Sequence, residues 1–229
     1  MTNQSAAESR TTIELDLWGD LVSPWCWIAK RRIEKAIHAF ERPHDVTVRY
    51  RAFEIDPDLP MGGGVPLAEH IGSRRGGGVE AGRRMLEQAA RDGADDDLWF
   101  DFDRALRANT FDAHRLCALA LEMGGLALQG AVVERFFAAH FREGLALDDP
   151  EVLQRISAEA GLDERRVSSV LAGKGYTDWV RGDEEMAAER GITAVPYVLA
   201  NGEAALEGPA SVEAYLALLR GVAVGSPDE

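Results

Sequence analysis

The chain has 229 residues, 46% of them apolar, enough for one large domain or one domain carrying an insertion. Its 25 Lys and Arg against 39 Asp and Glu leave a formal charge of −14, which argues against nucleic-acid and anionic-membrane partners. With only two cysteines, Cys26 and Cys117, the chain does not read as a disulfide-stapled secreted scaffold.

Residues 1–10 are polar and read as a flexible tail. No signal-peptide apolar region follows, and no apolar run reads as long enough to span a membrane, so a cytoplasmic location is expected. Ile13, Leu15 and Leu17 alternate with polar neighbours, the period of a strand. Ser23 then stands as an N-cap with Pro24 at the first helical position. Trp25, Ile28, Ala29, Ile33, Ala36, Ile37 and Phe40 recur at helical spacing, and Pro43 lies beyond the end. Val46, Val48 and Tyr50 alternate as a second strand, so the chain opens β–α–β.

From Asp56 the composition changes. Prolines and glycines to Pro66 predict a loop, and Gly76 to Gly78 a second loop or a helix lead-in. Helices are expected over 79–90, 111–123, 127–141, 150–160 and 164–171, with a short extended piece at 98–102. Asp178 to Arg190 reads as a further helix stopped by Gly191. Thr193–Ala200 and Glu203–Leu206 flank Asn201-Gly202, a hairpin signal, and a last helix is expected over 211–219 with a loose tail after Gly221. The order predicts an α/β thioredoxin-like fold with a large all-helical insertion. Residues 11–56 and 176–222 form the discontinuous sheet domain and 57–175 the helical domain, which lids one end of the sheet; 1–10 and 223–229 are flexible tails.

The chemistry centres on Ser23-Pro24-Trp25-Cys26, a Cys-x-x-Cys pattern whose first cysteine is serine. Free N–H groups and the positive dipole end at a helix start stabilise an anion, so a thiol there is expected to titrate low. A serine hydroxyl forms no disulfide, so a 23–26 redox couple is impossible. Ser23 can cap the helix, hydrogen-bond the thiolate of a bound small thiol, or mark a site working through Cys26 alone. Cys26 can equally be a buried, inert hydrophobe. Val195-Pro196 precedes the hairpin strand, and its place in the element order favours a cis bond beside the helix start, over a plain strand-start proline. Asn109 or Thr110 caps the helix that carries His114 and Cys117 on one face; a core role for that pair is favoured, and no metal site is expected. Arg74, Arg75, Arg83 and Arg84 cluster, with solvated helix faces the favoured reading.

Five segments resemble a known family: Asp20 to Lys30 around Ser23-Pro24-Trp25-Cys26, Tyr50-Arg51-Ala52-Phe53, Asn109 to Leu116, Gly191 to Pro196, and Glu207-Gly208-Pro209-Ala210. Together they are similar to the DsbA-like thioredoxin superfamily, in its FrnE-type branch of dithiol–disulfide oxidoreductases. The resemblance implies catalytic positions at Ser23 and Cys26. It also implies substrate-binding positions at Pro24, Trp25, Val195 and Pro196, with Asn109, Thr110 and His114 lining a groove above. The departure is Ser23, where the family pattern has the nucleophilic cysteine. The related kappa-class glutathione transferases and 2-hydroxychromene-2-carboxylate isomerases carry serine there, supporting the glutathione thiolate. Their γ-glutamyl-binding motif is replaced here by Gly208-Pro209-Ala210-Ser211. The expected function is a thiol–disulfide oxidoreductase acting through Cys26. One alternative is a glutathione-type transferase or isomerase using Ser23; the other is a non-catalytic peptide-binding or chaperone module. No cofactor is expected to bind tightly. Glutathione or another low-molecular-weight thiol is the expected cosubstrate, a thiol- or disulfide-containing peptide or small molecule the expected partner, and a homodimer the expected assembly.

Overall fold

The structure, a computed structural model, describes residues 12–224. Four strands form one mixed sheet in the order β2-β1-β3-β4: β1 (Ile13–Gly19), β2 (Val46–Ala52), β3 (Tyr197–Ala200) and β4 (Ala204–Glu207). β1 and β2 run parallel, with Leu15 opposite Val48. Parallel neighbours need a long crossover, and α1 (Pro24–Ala39) supplies it. β3 pairs antiparallel with β1 and with β4. Asn201 and Gly202, both at positive φ, close the β3–β4 hairpin, as the Asn-Gly pair predicts.

The period of two in β1 decides the two faces. Ile13, Leu15 and Leu17 pack against Ala29, Ile33, Ala36 and Phe40 of α1 and against Tyr215 and Leu219 of α8 (Val212–Val224). Trp18 points the other way, onto Ala187 and Ile192, and its indole N–H donates to the Asp183 carbonyl at 3.0 Å. The polar residues of β1 are also used: Asp16 takes Arg51 at 2.7 Å, and Arg51 reaches Asp183 at 2.9 Å.

Between β2 and β3 lie α2 (Leu67–Arg75), α3 (Gly78–Ala94), α4 (Phe111–Phe141), α5 (Pro150–Glu159), α6 (Glu164–Ala172) and α7 (Thr177–Glu189). α4 joins the two helices expected over 111–123 and 127–141, which remain separated by non-helical backbone at Gly124 and Gly125. Against the expectation of no run that long, α4 is long and apolar enough by length and composition to cross a membrane, because the two expected helices join; here Leu116, Leu119, Val132, Phe136 and Phe137 are buried in the protein core. α1 is the shared wall. Its Trp27 leaves the sheet core and sits among Phe100, Phe137 and Phe141, with its indole N–H 3.1 Å from Glu134. The buried Lys30 meets the same carboxylate at 2.7 Å, so α1 is fixed to α4 by packing and charge together.

Three expectations are corrected. α2 was not foreseen, because its sequence has almost no amphipathic period and stands between glycine-rich turns. The piece over 98–102 forms no strand; the nearest pairing is a single bridge between Pro66 and Leu106. α8 continues through Val224 instead of fraying after Gly221, since Leu218 and Val222 still pack on the sheet core. The expected tail over 1–10 lies outside the described residues, as does 225–229 of the C-terminal one.

Candidate active site

The turn from β1 into α1 builds the site. The Ser23 N–H donates to the Asp20 carbonyl and the Cys26 N–H to the Ser23 carbonyl, each at 3.1 Å. Pro24 takes the first helical position, where its missing N–H costs nothing. Ser23 occupies the N-cap position in extended backbone, but its side chain accepts no capping hydrogen bond. The hydroxyl stands near the Cys26 sulfur and pulls its thiol down. Gly19 leaves room for that sulfur, which would lie 3.3 Å from a Cβ placed there.

Cys26 behaves unlike the helix-start thiol expected from the sequence. It is 2% exposed, and burial pushes its thiol up to about 12. The Ser23 hydroxyl and an Asp20 backbone contact lower it, but desolvation outweighs them, and the Asp20 charge raises it further. The helix dipole favours a thiolate only where water or a counter-charge also reaches the sulfur. Cys117 is buried likewise and its thiol is raised by desolvation; both cysteines are free.

Two cavities meet this turn. The larger, about 270 Å³, opens between the start of α1 and the α2–α3 pair. Ser23, Pro24, Trp25, Thr110 and Val195 line it, so five of the expected site residues come together there. A smaller one, about 30 Å³, lies behind the turn and is lined by Cys26, His114 and Cys117. It has space for about one water. Pro196 is buried behind Val195 in a cis bond and accepts the Gly208 N–H at 2.8 Å. Asn109 is in neither lining. Its side chain accepts the Phe111 N–H at 3.0 Å and donates to the Leu59 carbonyl at 2.8 Å, pinning the cavity loop to α4.

Several polar residues near the turn were not singled out from the sequence. Asp20 is 1% exposed; one carboxylate oxygen accepts the Ile55 N–H at 2.7 Å, and the other is 3.7 Å from His114 Nε2. Glu54, also buried, is raised to about 7 by desolvation and by the Glu184 charge, against the pull of Arg181 at 2.7 Å. A period-based reading has no signal for such residues, because their partners come from α4 and α7. Among the described residues no cluster of His, Cys, Asp and Glu could hold a metal ion.

Comparison with known proteins agrees with this architecture. Among solved structures, the probable DsbA oxidoreductase SCO1869 from Streptomyces coelicolor is 29% identical, with a TM-score of 0.89 over 95% of this chain and 92% of that one. A 2-hydroxychromene-2-carboxylate isomerase is 18% identical, with a TM-score of 0.66 over 92% and 94%. The cytosolic disulfide reductase DsbM from Pseudomonas aeruginosa, in its structure with GSH, is 16% identical, with a TM-score of 0.65 over 92% and 99%. The last two likenesses concern the fold alone. No curated protein matches the sequence. The DSBA-like thioredoxin domain family model matches residues 14–220, so this chain, with its β–α–β start, cis Val195-Pro196 and helical block, belongs to the DSBA-like thioredoxin domain family.

Proposed function

We propose that the protein carries out thiol–disulfide exchange with a borrowed sulfur: a low-molecular-weight thiol such as glutathione binds in the 270 Å³ cavity with its sulfur at Ser23. One observation carries this reading. Ser23, though itself 4% exposed, lines the 270 Å³ cavity, while Cys26 lines only the 30 Å³ one and has a thiol raised to about 12. The place where the family pattern has its nucleophile offers a hydroxyl that can hydrogen-bond a thiolate but cannot replace one. The first turn of α1 leaves the Trp25 N–H without an intrahelical acceptor, and the positive helix end favours an anion at the same point.

The bound thiol releases its proton to solvent. The thiolate attacks one sulfur of a disulfide substrate, the old S–S bond breaks, a mixed disulfide forms, and the other half leaves as thiolate. Sulfur oxidation states balance, so no further oxidant is required. Val195, across the cavity, supports the bound molecule. This reading prefers the small-thiol alternative over chemistry at Cys26. A reducing compartment, where such thiols are abundant, fits the two free cysteines.

The test is titration of glutathione at neutral pH, followed by ultraviolet thiolate absorbance. A saturable thiolate signal that Ser23→Ala abolishes is expected. In the folded protein Cys26 should resist iodoacetamide, and Ser23→Cys should exchange disulfides without added thiol. Rapid alkylation of folded Cys26, or thiolate binding unchanged in Ser23→Ala, would sink the reading.

A further inference from the structure

The cavity at Ser23 holds positive charge that the sulfur-exchange step itself does not use. The chain carries −14, yet Arg74, Arg75 and Arg107 all line this cavity. Two acids line it as well, and both are occupied. Asp56 lies 3.4 Å from Arg74 and 3.6 Å from His70, an imidazole that desolvation holds below its usual range. Asp20 is buried beside His114. Arg75 has no ion pair among the described residues, in contrast to Arg83, which meets Glu80 at 2.8 Å. Among the described residues Arg107 has only the Pro60 carbonyl, at a long 3.5 Å, and its guanidinium lies close over the glycine loop, where a Cβ on Gly63 would come within 2.5 Å of it.

The remaining wall, apart from Ser23 and Thr110, is apolar, with Val22, Ile71, Leu86 and Val195 prominent. About 270 Å³ is small for a ligand pocket and excludes a long peptide from full enclosure. We infer that the cavity is a binding site for a small organic carboxylate, its charged end held by Arg75 and Arg107 and its apolar body laid against Ile71 and Leu86. Guanidinium groups suit this task because their fork of donors matches a carboxylate, and the partly enclosed cavity weakens screening by solvent. The inference rests on the preceding reading only for where the sulfur sits when the carboxylate is itself a thiol.

The experiment uses the whole chain and four probes: hexanoate, hexanamide, 3-mercaptopropionate and 2-mercaptoethanol, titrated calorimetrically. Hexanoate should bind saturably and hexanamide at least tenfold more weakly (about 1.4 kcal/mol). Arg75→Ala, at an exposed position, should weaken hexanoate at least fivefold, and Arg107→Gln by a similar factor. Arg83→Gln should leave it unchanged, and added salt should weaken it. Equal affinity for hexanoate and hexanamide, or hexanoate binding unmoved by Arg75→Ala, overturns the site. The thiol pair separates the two readings. Preference for 3-mercaptopropionate over 2-mercaptoethanol that survives in Ser23→Ala supports the anion site even if the sulfur is not at Ser23; no preference between the two counts against it.

Discussion

Asp20 Oδ1 lies 3.7 Å from His114 Nε2, and each of these buried atoms lacks a hydrogen-bond partner within the protein. The pair links the β1–α1 turn to α4, directly beneath the residues that open the cavity. A buried polar group separated from its one complement loses that attraction and keeps its desolvation cost. Asp20→Asn and His114→Gln should therefore each lower stability by about 2 kcal/mol. The double variant should fall short of their sum by about 1 kcal/mol, since removing one partner already forfeits the contact. Urea unfolding of the four proteins measures this; additive losses would mean that the two groups do not act on each other.

Glu54 predicts a pH dependence of stability. Burial and the Glu184 charge raise its carboxyl from 4.5 to about 7, so the folded state binds a proton that the unfolded state releases between those values. The stability it contributes is fully present below about 4.5 and is lost as pH rises through about 7. Glu54→Gln should flatten that fall, gaining on the order of 2 kcal/mol relative to the parent on the alkaline side. Against this stands the lost ion pair with the half-exposed Arg181, worth under about 1 kcal/mol. Unfolding midpoints compared between about pH 5 and about pH 8 decide the sign.

Glycine packing sets the cavity wall on the α2–α3 side. A Cβ on Gly82 would meet the Ala68 carbonyl oxygen at 1.9 Å, and one on Gly72 would meet the Gly78 carbonyl oxygen at 2.1 Å. These are backbone atoms, so the helices must separate to admit a methyl. Gly82→Ala should cost about 2–3 kcal/mol and weaken any ligand held by Ile71 and Arg75. Gly182→Ala makes the contrast: that helical glycine has nothing within 4 Å of its Cβ, and alanine there should stabilise by about 0.5–1 kcal/mol. Thermal unfolding with a binding titration separates a displaced wall from a general loss of fold.

The sheet and most helices were legible because their signals are local. Alternation in Ile13–Leu17 and in Val46–Tyr50, Pro24 after Ser23, and Asn201-Gly202 each depend on a few neighbouring residues. α2 was not legible, since its stability comes from close approach to α3 at Gly72 and Gly82 and hardly from an apolar face of its own. Of the candidate site, Ser23, Pro24, Trp25, Thr110 and Val195 were chosen from the sequence and do share one cavity. Arg107, Asp20 and Glu54 were not chosen, because their meaning lies in partners far along the chain.

The sequence alone determined that a serine stands where a redox pair needs its first sulfur, and that it stands at a strand-to-helix junction beside Val195-Pro196. That is covalent fact plus short-range periodicity. Only the tertiary structure decided which side of the junction faces the larger cavity. Helix-start geometry by itself favours a thiolate at Cys26, but packing against Gly19 and the helical block removes solvent from the sulfur, and desolvation outweighs the dipole. The same packing leaves Ser23 on the wall of a cavity with two arginines that no carboxylate of the chain neutralises among the described residues. Desolvation and charge depend on everything within several ångströms, whatever its distance in sequence, so the chemistry of this site became readable only once the chain was folded.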